Sequence, residues 1–227
     1  MRIKMRKSRF LWWGLGLILV LLLLPFALTW AYKWVDPPIT VPIAWETLTG
    51  KRPAQKWVPL QEISKSLIAG ATMSEDAKFC RHNGIDWDSL QGSIDAARDG
   101  ERARGASTIP MQTVKNLFLW QSRSYVRKAI ELPLALWADF ILGKRRIMEI
   151  YLNIAEFGPS IYGAEAASNV YFDKKAAKLS RAEAARLATA LPNPKARNPA
   201  RPSRRHASLA RKVERRIRAA EPWLDCL

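Results

Sequence analysis

The chain has 227 residues, 48% of them apolar, which is enough for one sizeable core beside its N-terminus. Its formal net charge of +17, from 37 Lys and Arg against 20 Asp and Glu, favours negatively charged partners. Nucleic acid, anionic lipid and phosphorylated substrates all qualify. With only Cys80 and Cys226, far apart in sequence, the chain has neither a disulfide framework nor a cysteine metal site; an opportunistic bridge between the two is open but is not the default.

The first nine residues include Arg2, Lys4, Arg6, Lys7 and Arg9, and residues 10–32 carry no charge. At about 1.5 Å per residue that run reaches roughly 34 Å, so it spans a hydrocarbon core of about 30 Å with some tilt. Trp12 and Trp13 at one end and Trp30, Tyr32 and Trp34 at the other stand where interfacial anchors belong, and the basic residues 1–9 place the N-terminus in the cytoplasm. The remainder is then outside. A cleaved signal peptide is the weaker reading, because its apolar core is about 7–15 residues and no small-x-small cleavage site follows here.

Residues 33–44, with Asp36-Pro37-Pro38 and Pro42, read as a stiff spacer lifting a domain at 45–201 off the bilayer. From Leu60 onward apolar residues recur at helical spacing: Ile63, Leu67 and Ile68, then 124–142, then 147–154. Strand signals are short and weak. Ser180-Arg181-Ala182-Glu183 is a capping box that opens a helix, and Pro192-Asn193-Pro194 stops it. In residues 202–227, Ala210, Val213, Ile217 and Ala220 form one apolar stripe on an arginine-rich helix, which predicts a basic amphipathic tail lying on anionic lipid.

Three segments carry chemistry. Ser74-Glu75-Asp76 suits a helix start, where free amides favour acidic side chains. A helix running on through His82 would put Glu75, Phe79 and His82 on one face. The plainer reading is a solvated acidic turn with Phe79 in the core and His82 structural. Gly105-Ala106-Ser107-Thr108 through Gln112, Lys115 and Asn116 offers hydroxyls, amides and a lysine able to grip sugar hydroxyls or phosphate oxygens, or it is a polar loop entering a helix. Arg123, Arg127 and Glu131 fall at i, i+4 and i+8 beside Lys128. They form either a surface ion-pair ladder or a diphosphate clamp in which Glu131 holds a divalent cation. Spacing alone leaves these two open.

The ordered set Glu75-Asp76-x-x-Phe79-x-x-His82-x-Gly84, Gly105-x-Ser107-Thr108-Ile109-x-x-Gln112-x-x-Lys115-Asn116, Arg127-Lys128-x-x-Glu131 and Arg146-Ile147-Met148-Glu149-Ile150-Tyr151-Leu152-Asn153 resembles the peptidoglycan glycosyltransferases of bacterial cell-wall synthesis. The likeness continues through Tyr162-Gly163-Ala164-Glu165 and Ala190-Leu191-Pro192-Asn193-Pro194. It implies a mainly α, lysozyme-like helical domain with a smaller membrane-associated lobe, here behind one transmembrane helix. With no room for a transpeptidase domain, the chain is similar to the monofunctional type.

The implied activity is polymerisation of lipid II into β-1,4-linked glycan, with inversion at the anomeric carbon and release of undecaprenyl diphosphate. By position, Glu75 matches the general base. Glu131 matches the second essential carboxylate, associated with the diphosphate and Mg²⁺ or Mn²⁺. Lys115, Arg123, Arg127 and Lys128 match donor-site cations, and Asp76, Phe79, His82, Ser107, Thr108, Gln112 and Asn116 belong to the substrate-binding set. Met111 stands where many relatives have a glutamine, which puts that amide's contact in question.

The implied partners are lipid II, the growing lipid-linked glycan and anionic inner-membrane lipid, with room for cell-division or elongation proteins, in a periplasmic setting. Nucleic acid is not among them. The rivals are a lysozyme-like glycosidase, for which four cations around a second glutamate have no use, and a membrane-tethered binder of anionic polymers.

Overall fold

A computed structural model describes residues 2–227 apart from 102–104, 123 and 221–223, with side chains from residue 12 onward. Among the described residues the architecture is mostly helical: α1 Arg2–Ala31, α2 Val41–Leu48, α3 Lys65–Glu75, α4 Trp87–Arg98, α5 Ile109–Phe118, α6 Tyr125–Ile154, α7 Ala164–Phe172, α8 Arg181–Ala190 and α9 Arg204–Arg218. One small sheet joins them, with β1 Ala54–Gln55, β2 Glu156–Gly158 and β3 Ile161–Tyr162 in the order β1-β3-β2. β1 runs parallel to β3, and β2 antiparallel to it.

The apolar segment Trp12–Ala31 of α1 is long and hydrophobic enough to cross a membrane, and its side chains from Leu15 to Leu24 are exposed, as lipid-facing residues are. Its last turns do not stand clear of the domain. Trp137 Nε1 donates to the Phe26 carbonyl at 3.0 Å, and Tyr32 stacks on Phe118. Arg146 donates to the Tyr32 and Val35 carbonyls at 2.9 and 3.0 Å and pairs with Asp36 at 2.8 Å. The expected spacer is therefore a docked joint. Residues 41–48 are already helical, because Pro42 lies in the first turn of α2, where its missing N–H costs nothing.

α5 and α6 form one packed pair, while α3, α8 and α9 form a second packed group. Small residues let the second group close. At Gly70 an added Cβ would lie 3.1 Å from the Ala188 Cβ, and Ala184, Ala185 and Ala188 are fully buried. The capping box at Ser180 and Glu183 is present as expected.

In α9 the stripe Ala210, Val213, Ile217 and Ala220 is buried against α3 and α8. The helix of this tail is thus packed into the domain core, and its apolar face is not free for lipid. Sequence periodicity found the stripe but could not say which surface it meets. A disulfide then ties Cys80 to Cys226 across 146 residues, the option that the sequence left open without favouring it. Sequence separation says nothing about distance in a folded chain, and here the Cα atoms lie 5.6 Å apart.

α6 breaks at Gly143, whose φ of 71° and ψ of 166° are non-helical, so 125–142 and 144–154 are two helical pieces at an angle. The second piece carries the Arg146 to Asn153 motif, and most of that motif is scaffold. Glu149 Oε2 accepts from the Leu60 amide at 2.8 Å, and Asn153 exchanges two hydrogen bonds with the Val58 backbone at 2.8 and 2.9 Å. Gly163, at φ 83°, sits so close that a Cβ would lie 2.6 Å from the Asn153 carbonyl oxygen. Only Tyr151 of this motif reaches the cleft.

Candidate active site

Glu75 is the last residue of α3, and Asp76 is its C-cap. The expected helix start is a helix end. The chain turns at Asp76 and makes a single 3₁₀ turn at Phe79–Arg81, so Glu75, Phe79 and His82 do not share a helical face. The reason lies in the tertiary contacts: Asp76 is drawn out of the helix by stronger acceptor roles, accepting hydrogen bonds from His82 Nε2 at 2.9 Å and from the Ile109 amide at 2.9 Å. Ile109 opens α5, so this carboxylate satisfies a free amide at the helix N-terminus.

Thr108, the N-cap of α5, donates to the Gly84 carbonyl at 2.6 Å and accepts from the Met111 amide. Phe79 is fully buried, with the Lys144 ammonium over its ring at 4.8 Å. Gly84, at φ 82°, presses against α6 so closely that a Cβ would meet the Ala135 carbonyl oxygen at 2.7 Å. Asp76, Phe79, His82 and Thr108 therefore do not line the cleft. They lock the glutamate segment to α5 and α6.

Eight expected residues do line one cavity of about 550 Å³: Glu75, Ser107, Gln112, Lys115, Asn116, Arg127, Lys128 and Glu131. Arg123 lies outside the described residues. Glu75 Oε2 accepts from Gln112 Nε2 at 2.9 Å, and Gln112 Oε1 accepts in turn from the Tyr151 hydroxyl at 3.4 Å. This chain orients the amide and leaves Glu75 Oε1 buried without a partner. Burial pushes the Glu75 carboxyl above its ordinary range, against the opposing pull of Gln112, Arg197 and Lys115. Burial beside Glu75 and Asp76 holds the Tyr151 phenol well above its usual range, so it stays a neutral donor.

At the other end of the cavity the cations are built into α5 and α6. Arg127 pairs with Glu131 Oε1 and donates from Nε to the Ser122 carbonyl at 2.9 Å. Lys128 Nζ donates to Ser107 Oγ at 2.9 Å and lies 3.5 Å from Glu131 Oε2. Arg127 is 9% and Glu131 2% exposed, which rules out a solvated surface ladder. Burial drives the Lys115 ammonium below its usual range; Glu131 and Glu75 oppose that shift, and Arg127 and Lys128 add to it. Burial likewise lowers Lys128. With one carboxylate, Glu131, among three cations, this end of the cavity is net positive and suits an anionic group. Met111 is fully buried, with its sulfur 3.9 Å from Lys128 Nζ, so the position that differs from many relatives faces the core beneath the clamp.

The divalent cation expected at Glu131 meets a carboxylate whose two oxygens are already engaged by Arg127 and Lys128. No three His, Cys, Asp or Glu gather into a ligand group among the described residues. An Mg²⁺ ion needs oxygen donors around it, and the neighbouring ammonium and guanidinium groups repel it. These residues do not fit a resident metal ion; the fixed cations supply the positive charge.

Tyr151, Glu156, Tyr162, Gln121 and the Leu191-Pro192 turn complete the lining. Tyr151 and Tyr162 stand inside the motifs that carry the resemblance, so a signal for them existed. Glu156 and the charge of Arg197 near Glu75 had none, because the small sheet and the turn after α8 bring them in from distant sequence.

A mostly helical domain with a partnerless carboxylate oxygen at one end of a cleft and a buried cation cluster at the other defines an enzyme that moves a group off an anionic leaving group. The transglycosylase family profile matches residues 43–219. The chain is 49% identical over 212 residues to a biosynthetic peptidoglycan transglycosylase of Agrobacterium fabrum (strain C58), covering 92% of this chain and 93% of that protein. Its counterparts of the same name in Rhizobium meliloti and Brucella suis are each 48% identical, covering 93% and 94% of this chain and 90% and 96% of theirs. The chain belongs to the transglycosylase family and is a glycosyltransferase. The matched span takes in α9, in keeping with its place in the core.

Proposed function

We propose that the chain polymerises lipid II into β-1,4-linked peptidoglycan strands, with inversion at the anomeric carbon. In this reading Glu75 Oε1 takes the proton from the acceptor sugar 4-hydroxyl as that oxygen attacks the donor anomeric carbon. The bond to the diphosphate oxygen breaks, and Lys115, Arg127 and Lys128 neutralise the departing undecaprenyl diphosphate, so its oxygen needs no proton. Arg123 belongs to the same clamp by motif position. Mg²⁺ or Mn²⁺, in this reading, travels with the substrate diphosphate and is not held by the protein.

The observation that carries the proposal is that the partnerless Glu75 oxygen and the cation cluster line one cleft. A glycosidase would use a second carboxylic acid at the leaving oxygen, and Glu131, paired with two cations, is unsuited to give a proton.

The catalytic domain faces the periplasm of the inner membrane in this reading, supported by the basic residues 1–9 before the span and by a disulfide, which forms in oxidising compartments. Phe26, Trp137 and the exposed Phe140 form a row of rings at the foot of the span, suited to the membrane interface. Because the apolar side of α9 is buried, its exposed Arg204, Arg205, Arg211 and Arg218 leave only an electrostatic route to anionic lipid. Purified protein supplied with labelled lipid II should yield polymer. Soluble fragments from finished sacculi, with no polymer from lipid II, would overturn the reading in favour of hydrolysis.

A further inference from the structure

Of the cleft-lining carboxylates, Glu75 is the base and Glu131 pairs with the cations, while Glu156 has neither task in the reaction above. It sits on β2, opposite Tyr162 of β3, and reaches the same cavity as Glu75 and the cations. Among the described residues its carboxylate has neither a hydrogen-bond partner nor a cation within ion-pair distance, and its Oε1 is buried. Of the other acids near the sheet, Glu165 takes the Ala176 amide at 2.7 Å, and Glu46 pairs with Lys51 at 3.0 Å through Oε1 while its own Oε2 is buried without a partner. Lys195, Lys51 and Lys115 act on Glu156 only from a distance. Buried carboxylate oxygens without a donor are rare in folded proteins, because nothing replaces the lost water. A donor supplied by a ligand would complete this one.

The chemistry of that donor follows from charge. A diphosphate seeks the Lys115, Arg127 and Lys128 end and would be repelled by a carboxylate, whose lone pairs want an N–H or O–H group. Resting on the lipid II reading, we propose that Glu156 accepts a hydrogen bond from a sugar hydroxyl or acetamido N–H of the bound glycan. It thereby fixes the sugar portion of the substrate in the cleft while the cations fix the diphosphate. Glu156 is then a substrate-positioning residue and takes no proton in the reaction.

The test compares Glu156→Leu, which removes the acceptor, with Glu156→Gln, whose carbonyl oxygen keeps it, in steady-state polymerisation of lipid II. Expected are a rise in KM of roughly tenfold or more for Glu156→Leu, from loss of a hydrogen bond to a charged group, with kcat within about threefold, and a KM for Glu156→Gln near that of the wild type. Both variants should melt within a few degrees of wild type. Wild-type KM in Glu156→Leu, while Glu75→Gln is inactive, would overturn this inference and leave the reading of the site intact. Equal falls in kcat and melting temperature for both variants would overturn it in favour of a structural role. Absence of polymer from the wild type would remove the reading and the inference together.

Discussion

Replacing Glu75 by glutamine tests the catalytic proposal most directly, because the geometry separates its chemical effect from its structural one. The amide is nearly isosteric: its oxygen can still accept from Gln112 Nε2, and its nitrogen occupies the place of the partnerless Oε1. What is lost is the proton acceptor. General-base catalysis contributes about 10²–10⁴-fold, which at about 1.4 kcal/mol per decade is roughly 3–5.5 kcal/mol of barrier.

Stability moves the other way. The Glu75 carboxyl titrates above its ordinary range in the folded chain, so the folded state holds its proton more tightly than the unfolded state does. The stabilisation from that proton is fully present below the unfolded pKa and is lost as pH rises through the raised folded pKa. Above that raised pKa the wild type carries the full cost of a buried charge, and glutamine removes it. Glu75→Gln should therefore lower lipid II turnover by two or more decades without lowering the neutral-pH melting temperature. It should also make the melting temperature less sensitive to pH through the acidic range. Turnover near the wild-type rate would refute the assignment, and inactivity accompanied by a large fall in melting temperature would refute the reasoning from geometry.

Glu131→Ala leaves Arg127 buried without its partner, which costs about 3 kcal/mol or more; for a domain of this size that lowers the melting temperature by roughly 6–12 °C, readable by circular dichroism. Lys115→Met should cut kcat/KM for lipid II by about 10²-fold or more through loss of one fixed charge at the leaving group. Because burial lowers the Lys115 ammonium, wild-type activity should fall with rising pH before an ordinary lysine would titrate, and Lys115→Arg should extend that alkaline limb if it folds and turns over. Reduction, or Cys80→Ser, opens a cross-link spanning 146 residues and should destabilise by about 2–4 kcal/mol, seen as a lower melting temperature with dithiothreitol in wild type and no shift in the variant.

The sequence by itself determined the elements whose signals are local. The charge-free run 10–32, the capping box at Ser180, the apolar stripe of α9 and the mostly helical content each follow from spacing and composition, and each is present. The motif order also singled out Glu75, Gln112, Lys115, Lys128 and Glu131, all of which line the cleft. What tertiary structure decided is which of these side chains line the cleft and which hold the frame. Asp76, Phe79, His82 and Thr108 carry the same motif signal as Glu75, yet they spend their polar and apolar groups on Ile109, Lys144 and Gly84. Conversely, Glu156 and Arg197 approach the catalytic end only because β2 pairs with β3 and the chain turns after α8.

The helix at Glu75 ends where a start was expected because the acceptors at Asp76 had donors waiting on α5, a partnership 33 residues away. The Cys80–Cys226 bridge and the burial of α9 have the same origin. Local preferences are worth tenths of a kcal/mol to about one each, and buried contacts between distant segments outweigh them without leaving a trace in the spacing of residues.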